Sequence, residues 1–357
     1  MQVNFIDLMT KKETILTISD RTGFSTSTVS RVLSGQAKKY RISDKTIAII
    51  TKEARECNYM PSMVAKSLRT NITRTIGLVV PSIDNPFFAN IASLIVSNAK
   101  ANDYTVILAD SLENEVDEKE VIRSLLSYNV DGIIIVPSGT DPSHLELLNG
   151  AGTPVVLIDR FFVNSSLPYV TTDNTKGATD ATRYLINNNH KNIACIQGVV
   201  HSTPGQERVS GYVTTMKEYG LESYIKIVGD SFSIENGYVE TKILLSSSTP
   251  PTAIFALSNT ILLGTLKAIN ESTYKIPHDI SLISFDDYTY LDFMNPPITR
   301  VSQPIEEICS IALIMLLQSM ESKVQSKEKL KLPPKLLVRS SVIKIDEKNI
   351  CTISNNF

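Results

Sequence analysis

An α/β fold behind a small helical head is what this sequence predicts, and three observations carry the expectation. From Thr75 onward, short apolar runs alternate with longer amphipathic segments, the texture of parallel strands, which need helical crossovers to connect them. About nine such units are present, too many for one ordinary open sheet, so two similar lobes are expected. Ahead of them, residues 1–71 carry twelve Lys and Arg against six Asp and Glu, a net +6 in a chain whose overall charge is −2, so the remainder carries −8. A basic block on an acidic body implies a polyanion bound by the first part alone.

The chain's 357 residues and 42% hydrophobic content are ample for two or more buried cores. Cys57, Cys195, Cys309 and Cys351 are far apart, with no C-x-x-C and no Cys/His ligand spacing. Neither a metal site nor a disulfide framework is supported, and no cofactor is expected. Residues 1–20 lack an uninterrupted apolar core after a basic start, and no apolar run reaches membrane-spanning length. A soluble, cytoplasmic protein is the expectation.

Taken in order, Ile15 to Arg21 supplies a first short helix, ended by Gly23, where positive φ costs little. Ser25 can cap a second helix through its side-chain oxygen. At about 100° per residue, Thr26, Ser27, Ser30 and Arg31 share one arc. Val29, Val32 and Leu33, with Thr28 at the margin, occupy the opposite arc and face a small core. Ser43 can cap a third helix that puts Ile47, Ile50, Ala54 and Cys57 on one face. Three short helices with a Gly-containing turn between the first two form a helix-turn-helix unit, whose polar arc is left facing water or a ligand. Pro61 breaks the pattern, and Ser62 to Arg69 is a short amphipathic piece.

Strand candidates follow at Ile76–Val80, Thr105–Ala109, Gly132–Val136, Val155–Asp159, Val170–Thr172, Ile193–Gln197, Ile225–Val228, Ala253–Ala256 and Leu282–Phe285. Helical patterns fit between most of them, as in Asn90–Ala101, Lys119–Tyr128, Gly177–Asn187 and Glu207–Tyr219. No glycine-rich phosphate fingerprint follows any strand, which counts against a dinucleotide enzyme. His144, His190, His201 and His278 are scattered without a nucleophile or metal spacing, so no catalytic set is read. Ligands of such folds bind at the carboxyl ends of strands, and two facing lobes make a cleft.

The stretches "ISDRTGFSTSTVSRVLSG", "CNYMPSMVAKSLRT" and "TIGLVVPSIDNPFF" together resemble the LacI/GalR transcription regulators, and the resemblance covers roughly residues 14–345. It implies a head over 1–61, a hinge helix over 62–71, a two-lobed periplasmic-binding-protein type I core over 72–345, and a tail over 346–357. The lobes are expected at about 72–170 with 301–330, and about 171–300 with 331–345. In that family the second helix enters the DNA major groove. Thr26, Ser27 and Arg31 fall at its base-reading positions, with Arg31 suited to a bidentate guanine contact and Thr14, Thr28 and Ser30 nearer phosphates. Ala65 and Leu68 fall where family members form a hinge helix on DNA and wedge paired leucines into the minor groove. Two departures stand out: Ser19 replaces a small apolar residue, and the segment Gln36 to Arg41 is longer and more basic than usual, which reads equally as added phosphate contact with a shift in half-site geometry or as a solvated charge run.

In the core, the resemblance extends to ribose-type binding proteins and implies a monosaccharide effector. Its contacts would be Asn85, Phe87 and Phe88 in "DNPFF", Asp159 and Arg160 in "LIDR", Arg208 in "QERVSGY", Phe232, Asn259 in "ALSNT", Asp286 in "ISFDD" and Gln303 in "VSQP". Planar hydrogen-bonding groups and aromatic faces are what a sugar ring needs. Where family members commonly carry Asn-Asp, this chain has Asn259-Thr260, so its preferred sugar is expected to differ. The implied function is a homodimeric regulator, a repressor of carbohydrate-utilisation genes. It would bind a pseudo-palindromic double-stranded DNA operator under control of a small sugar or sugar phosphate. A sugar-binding transport protein would share the core but not the basic head.

Overall fold

The head's helices are each opened by a hydroxyl. In the computed structural model, which describes residues 13–59 and 72–346, helix α1 (Ile15–Thr22) starts at a reciprocal cap: the Thr14 hydroxyl accepts the Thr17 N–H, and the Thr17 hydroxyl accepts the Thr14 N–H, both at 3.3 Å. Gly23, at φ 72°, ends it. Ser25 caps α2 (Thr26–Leu33) and Ser43 caps α3 (Asp44–Glu56), each accepting the N–H three residues on. Ile18, Val29, Val32, Ala37, Ile50 and Ala54 form the buried centre between them. Cys57, expected on the inner face, is only half-buried; its thiol donates to Glu53 and lies 2.9 Å from the Arg21 guanidinium. The expected hinge helix, with Ala65 and Leu68, and the tail beyond Asp346 lie outside the described residues.

The chain divides into two compact units between Thr73 and Arg74. The second unit contains two six-stranded sheets. Its strands and helices run β1 (Thr75–Val80), α4 (Pro86–Ala101), β2 (Thr105–Asp110), α5 (Glu115–Ser127), β3 (Gly132–Ile135), α6 (Ser143–Gly150), β4 (Val155–Ile158) and β5 (Tyr169–Thr172). They continue through α7 (Asn174–Asn187), β6 (Ile193–Ile196), α8 (Thr203–Glu218), β7 (Lys226–Val228), α9 (Ile234–Leu245), β8 (Ala253–Ala256), α10 (Asn259–Asn270), β9 (Ser281–Phe285) and β10 (Thr299–Ser302). Helix α11 (Ile305–Ser322), β11 (Lys329–Leu332) and β12 (Lys335–Leu337) complete it. The N-lobe sheet has the order β11-β5-β4-β3-β1-β2 and is parallel throughout. The C-lobe sheet repeats that order as β12-β10-β9-β8-β6-β7, with β12 alone antiparallel.

Central strands such as β3 and β8 are buried on both faces, which is why they read as unbroken apolar runs. Each fully buried Ile in them contributes roughly 1.5–3 kcal/mol. Three strands escaped the sequence reading. Strand β10 reads "TRVS", and β11 and β12 flank Pro333-Pro334 in "KLKLPPKLL", so none shows an apolar run. The helices also begin earlier than expected: Asn85 and Ser202 cap first turns that contain Pro, and Asn114 and Asp173 cap first turns that are mostly polar.

The chain crosses between lobes three times, at Asp173, at Gln303-Pro304 and at Pro333-Pro334. The lobe limits expected near 170, 300 and 330 would cut through β5, β10 and β11. These strands end in Thr, Ser and Lys-Leu pairs, and only the following Asp cap or Pro marks the exit.

The last described segment folds back onto the C-lobe. Ile345 donates its N–H to the Asn188 carbonyl at 3.0 Å, and the Asn189 side chain donates to the Ile345 carbonyl at 2.7 Å. His190 Nε2 donates to the Ile343 carbonyl at 3.0 Å while Nδ1 accepts from the Thr252 hydroxyl at 3.0 Å. Burial pushes its imidazole down to about 4 from an ordinary 6.5, partly opposed by the Ile343 carbonyl. Between those values the unfolded chain holds a proton that the folded chain does not, so stability falls as pH falls through that window. The loss reaches about 3 kcal/mol. Urea unfolding at neutral pH and near pH 5 is expected to show a smaller acid loss in His190→Asn than in the parent chain; equal losses would refute this assignment.

Candidate functional site

Two places gather the residues singled out in the sequence. On the head, Thr26, Ser27 and Arg31 are exposed along α2, Thr28 and Ser30 are half-buried, and Val29 and Val32 face inward. The Ser25 hydroxyl sits 2.9 Å from those of Ser27 and Thr28, so this edge of the helix carries a chain of rotatable donors and acceptors. Thr14 is exposed at the start of α1. Ser19, the polar departure inside α1, donates to the Phe24 carbonyl at 2.6 Å and closes the turn between the helices. In the loop after α2, Ala37 is buried while Lys38, Lys39, Tyr40 and Arg41 are exposed.

The second place lies at the carboxyl ends of the strands. Asp159 follows β4 and Asp286 follows β9, the same position in each sheet order. Both adopt left-handed backbone, at φ 61° and 77°, a conformation Asp tolerates better than most residues. Both are buried with Arg208, which is 4% exposed. Arg208 Nε donates to Asn174 Oδ1 at 2.8 Å, and Nη1 donates to the Leu257 carbonyl at 2.7 Å. Its guanidinium lies 3.8 Å from the centre of the Phe285 ring. Asn174 Nδ2 donates to the Thr172 carbonyl at 3.0 Å, the Thr172 hydroxyl donates to Gln303 Oε1 at 2.6 Å, and Gln303 Nε2 donates to Asp286 Oδ1 at 2.6 Å. Asp286 Oδ2 accepts the Asn259 N–H at 3.0 Å. Tyr290 donates its hydroxyl to Asn259 Oδ1 at 2.5 Å, which fixes the amide. Asn259 Nδ2 is left buried and without a partner among the described residues.

Burial raises the Asp159 carboxyl to about 6, against the pull of Arg208 and Arg160, while Asp286 and Glu113 push the same way as burial. Burial likewise lowers the Arg208 guanidinium, and Asp286 and Asp159 oppose that. This is a preorganised set of acceptors and donors held out of water, where a hydroxyl ligand would meet strong partners.

The structure thus brings together Asp159, Arg160, Arg208, Asn259, Asp286 and Gln303. The aromatic and capping residues are placed otherwise. Asn85 Oδ1 accepts the Phe87 N–H at 3.0 Å and opens α4. Phe87 and Phe88 lie in the N-lobe core, with the Arg160 guanidinium 5.6 Å from the Phe88 ring centre. Arg160 itself is drawn to Glu113, its two terminal nitrogens 2.7 and 2.8 Å from the carboxylate. Phe232 packs on the glycine face of the C-lobe: a Cβ at Gly198 would meet its ring at 2.1 Å. A cavity of about 310 Å³ opens beside Arg160, lined by residues of both lobes including Ser138, Thr140, Asn164, His201, Ser202 and Thr203. Sequence reasoning missed these residues, although each of the three loops follows a strand it had found. Glu113, Asn174, Thr172 and Tyr290, which position the recognised residues, had no signal in one sequence.

The family description "Periplasmic binding proteins and sugar binding domain of LacI family" matches residues 73–340. The chain belongs to the LacI family. Among its relatives in that family, the HTH-type transcriptional repressor PurR of Vibrio vulnificus is 31% identical over 335 residues, 93% of this chain and 99% of that protein. The ribose operon repressor of Escherichia coli K12 is 30% identical over 323 residues, covering 89% of this chain and 96% of its own length. A LacI family transcriptional regulator from Enterococcus faecium, solved with bound ribose, is 26% identical with a TM-score of 0.70 over 76% of this chain and 100% of that one. The lac repressor dimer, solved on operator with the anti-inducer ONPF, shares the fold at TM-score 0.84 and 23% identity, over 93% of this chain and 100% of that one. These relatives are transcription regulators, and this LacI family member is a transcription regulator rather than an enzyme.

An acid whose folded value of about 6 lies above its ordinary 3.8 destabilises the ligand-free fold at neutral pH, and the cost disappears as pH falls through that window. Replacing Asp159 by Asn is therefore expected to stabilise the ligand-free protein by up to about 3 kcal/mol at neutral pH, and by much less near pH 4. Urea midpoints at the two pH values check this; a variant destabilised at both would refute it.

Proposed function

We propose that this chain is a dimeric repressor of carbohydrate-use genes. Its hold on a pseudo-palindromic operator would be set by a small sugar, of ribose size, bound between the lobes. The observation that carries the reading is the hydrogen-bonded chain Arg208–Asn174–Thr172–Gln303–Asp286. Thr172 and Gln303 stand beside the first two lobe crossovers, so a ligand that engages Arg208 or Asp286 acts directly on the segments about which the lobes turn. Asp159 and Asp286 offer acceptors to ring hydroxyls, Arg208 offers a donor, and the unpartnered Asn259 Nδ2 offers two more N–H groups. The ribose operon repressors among the relatives, and the ribose held by the Enterococcus regulator, support the sugar class. Thr26, Ser27 and Arg31 would read bases, with Thr14, Thr28 and Ser30 against phosphates. Two heads on one dimer compensate for modest charge, because the second binds at high effective concentration.

The dimer surface we assign to the free edge of the N-lobe sheet. Strand β2 ends the sheet, and Ile83, Val96, Leu108, Leu112 and Val116 are exposed along or beside it, Leu112 at 68% and Val116 at 73%. The Ile83 N–H donates to Asp110 at 2.9 Å, which joins the two loops that carry this apolar edge.

Fluorescence anisotropy on an operator selected from random DNA is the test. Ribose is expected to lower operator affinity at least tenfold. Arg208→Ala and Asp159→Asn are expected to lose that response while binding operator as the parent does. No selectable operator, or ribose binding without any change in DNA affinity, would sink the reading. Light scattering of Leu112→Glu/Val116→Glu is expected to show a monomer; an unchanged dimer would refute the assigned surface.

A further inference from the structure

We propose that Tyr40 is a positioning residue for Arg31, so that the loop after α2 sets operator specificity as well as adding charge. The inference rests on the reading above, in which α2 meets the bases. Arg31, in the last turn of α2, has its guanidinium over the Tyr40 ring, with 4.0 Å between the guanidinium carbon and the ring centre. Among the described residues Arg31 has no ion pair and no side-chain hydrogen bond, so the ring is what restrains it. A guanidinium held over a ring by cation–π attraction spends none of its N–H groups on a hydrogen-bond acceptor, which leaves them for the O6 and N7 atoms of a guanine.

Tyr40 is held in place by its own loop. The Gln36 N–H donates to the Arg31 carbonyl at 2.9 Å, the Tyr40 N–H to the Gln36 carbonyl at 3.3 Å, and the Ile42 N–H to the Ala37 carbonyl at 3.0 Å. Ala37 is 6% exposed and anchors the loop in the head's core. The ring, 43% exposed, projects from this closed frame. An arginine held in one orientation loses less side-chain freedom on binding than a free one. The aromatic face therefore adds affinity only where Arg31 meets its base. Lys38, Lys39 and Arg41, exposed on the same loop, would add attraction for any DNA sequence.

The experiment measures the full-length dimer on the selected operator, on the same operator with the guanine under Arg31 replaced, and on unrelated duplex across a salt series. A cation held over an exposed aromatic ring corresponds to roughly two- to fivefold per head, hence roughly four- to twenty-fivefold for a dimer. Tyr40→Ala is expected to weaken the selected operator by that factor. Binding to unrelated duplex and the slope against salt should stay unchanged. Tyr40→Phe, which keeps the ring and drops the hydroxyl, should restore parental binding, and Tyr40→Ala should have no further effect in an Arg31→Ala background. Equal weakening on all DNA, or additive losses in the double variant, would overturn the proposal. If Arg31→Ala abolishes operator preference and Tyr40→Ala does not alter it, the proposal alone falls. If Arg31→Ala leaves the preference intact, the base-reading role falls first and the proposal with it. Circular dichroism melts of each variant separate these outcomes from loss of fold.

Discussion

Burying two carboxylates and a guanidinium in one place is the constraint around which the core is arranged. Asp159, Asp286 and Arg208 are each nearly inaccessible to water, and charges removed from water are tolerated only when paired and hydrogen-bonded. The fold meets that demand with residues that come from different parts of the chain: Asn174 at the start of a helix, Thr172 at the end of a strand, and Gln303 at a crossover. Each polar side chain is held by the next. This buried polar set and the connection between lobes are therefore one structure rather than two.

Nearby, a second buried ionic group is tied to the same strand end. Arg300, 2% exposed, donates to Asp287 at 2.6 Å and to Asp292 at 2.9 Å, and Arg339 donates to Asp292 at 2.7 Å. These guanidinium groups hold the Asp292 carboxyl far below the usual carboxylate range. Through Asp287 and Asp292, Arg300 fixes the turn that follows Asp286. Replacing Asp159 thus relieves a local cost, while replacing a member of this outer set exposes unpaired charge.

Much of this was legible in the sequence where one physical signal dominates. Buried parallel strands announce themselves as apolar runs, and the amphipathic arc of α2 separates Val29 and Val32 from Thr26 and Arg31 without any structure. Asp159, Arg208, Asn259, Asp286 and Gln303 were singled out by resemblance, and the structure gathers them near strand ends. What remained hidden depends on contact rather than on pattern. Edge strands rich in Lys and Ser carry no apolar run, Asn174 and Tyr290 look like ordinary polar residues, and Phe87 and Phe88 look equally suited to a ligand or to a core. Tyr40 shows the same limit, since nothing in the spacing of an arginine and a tyrosine nine positions apart reveals a stack.

The three crossings between lobes also govern how the chain can be made. The C-lobe sheet includes β10 and β12, and between them the chain returns to the N-lobe for α11 and β11. The Ser341 hydroxyl donates to the Leu282 carbonyl, and Ile343 and Ile345 pair back onto His190, Asn188 and Asn189. Neither lobe can be complete on the ribosome until the last fifth of the chain has emerged. The head, whose core closes within residues 13–59, needs none of it. During synthesis a folded head therefore precedes any competent core, and the cleft between the lobes can be completed only afterwards.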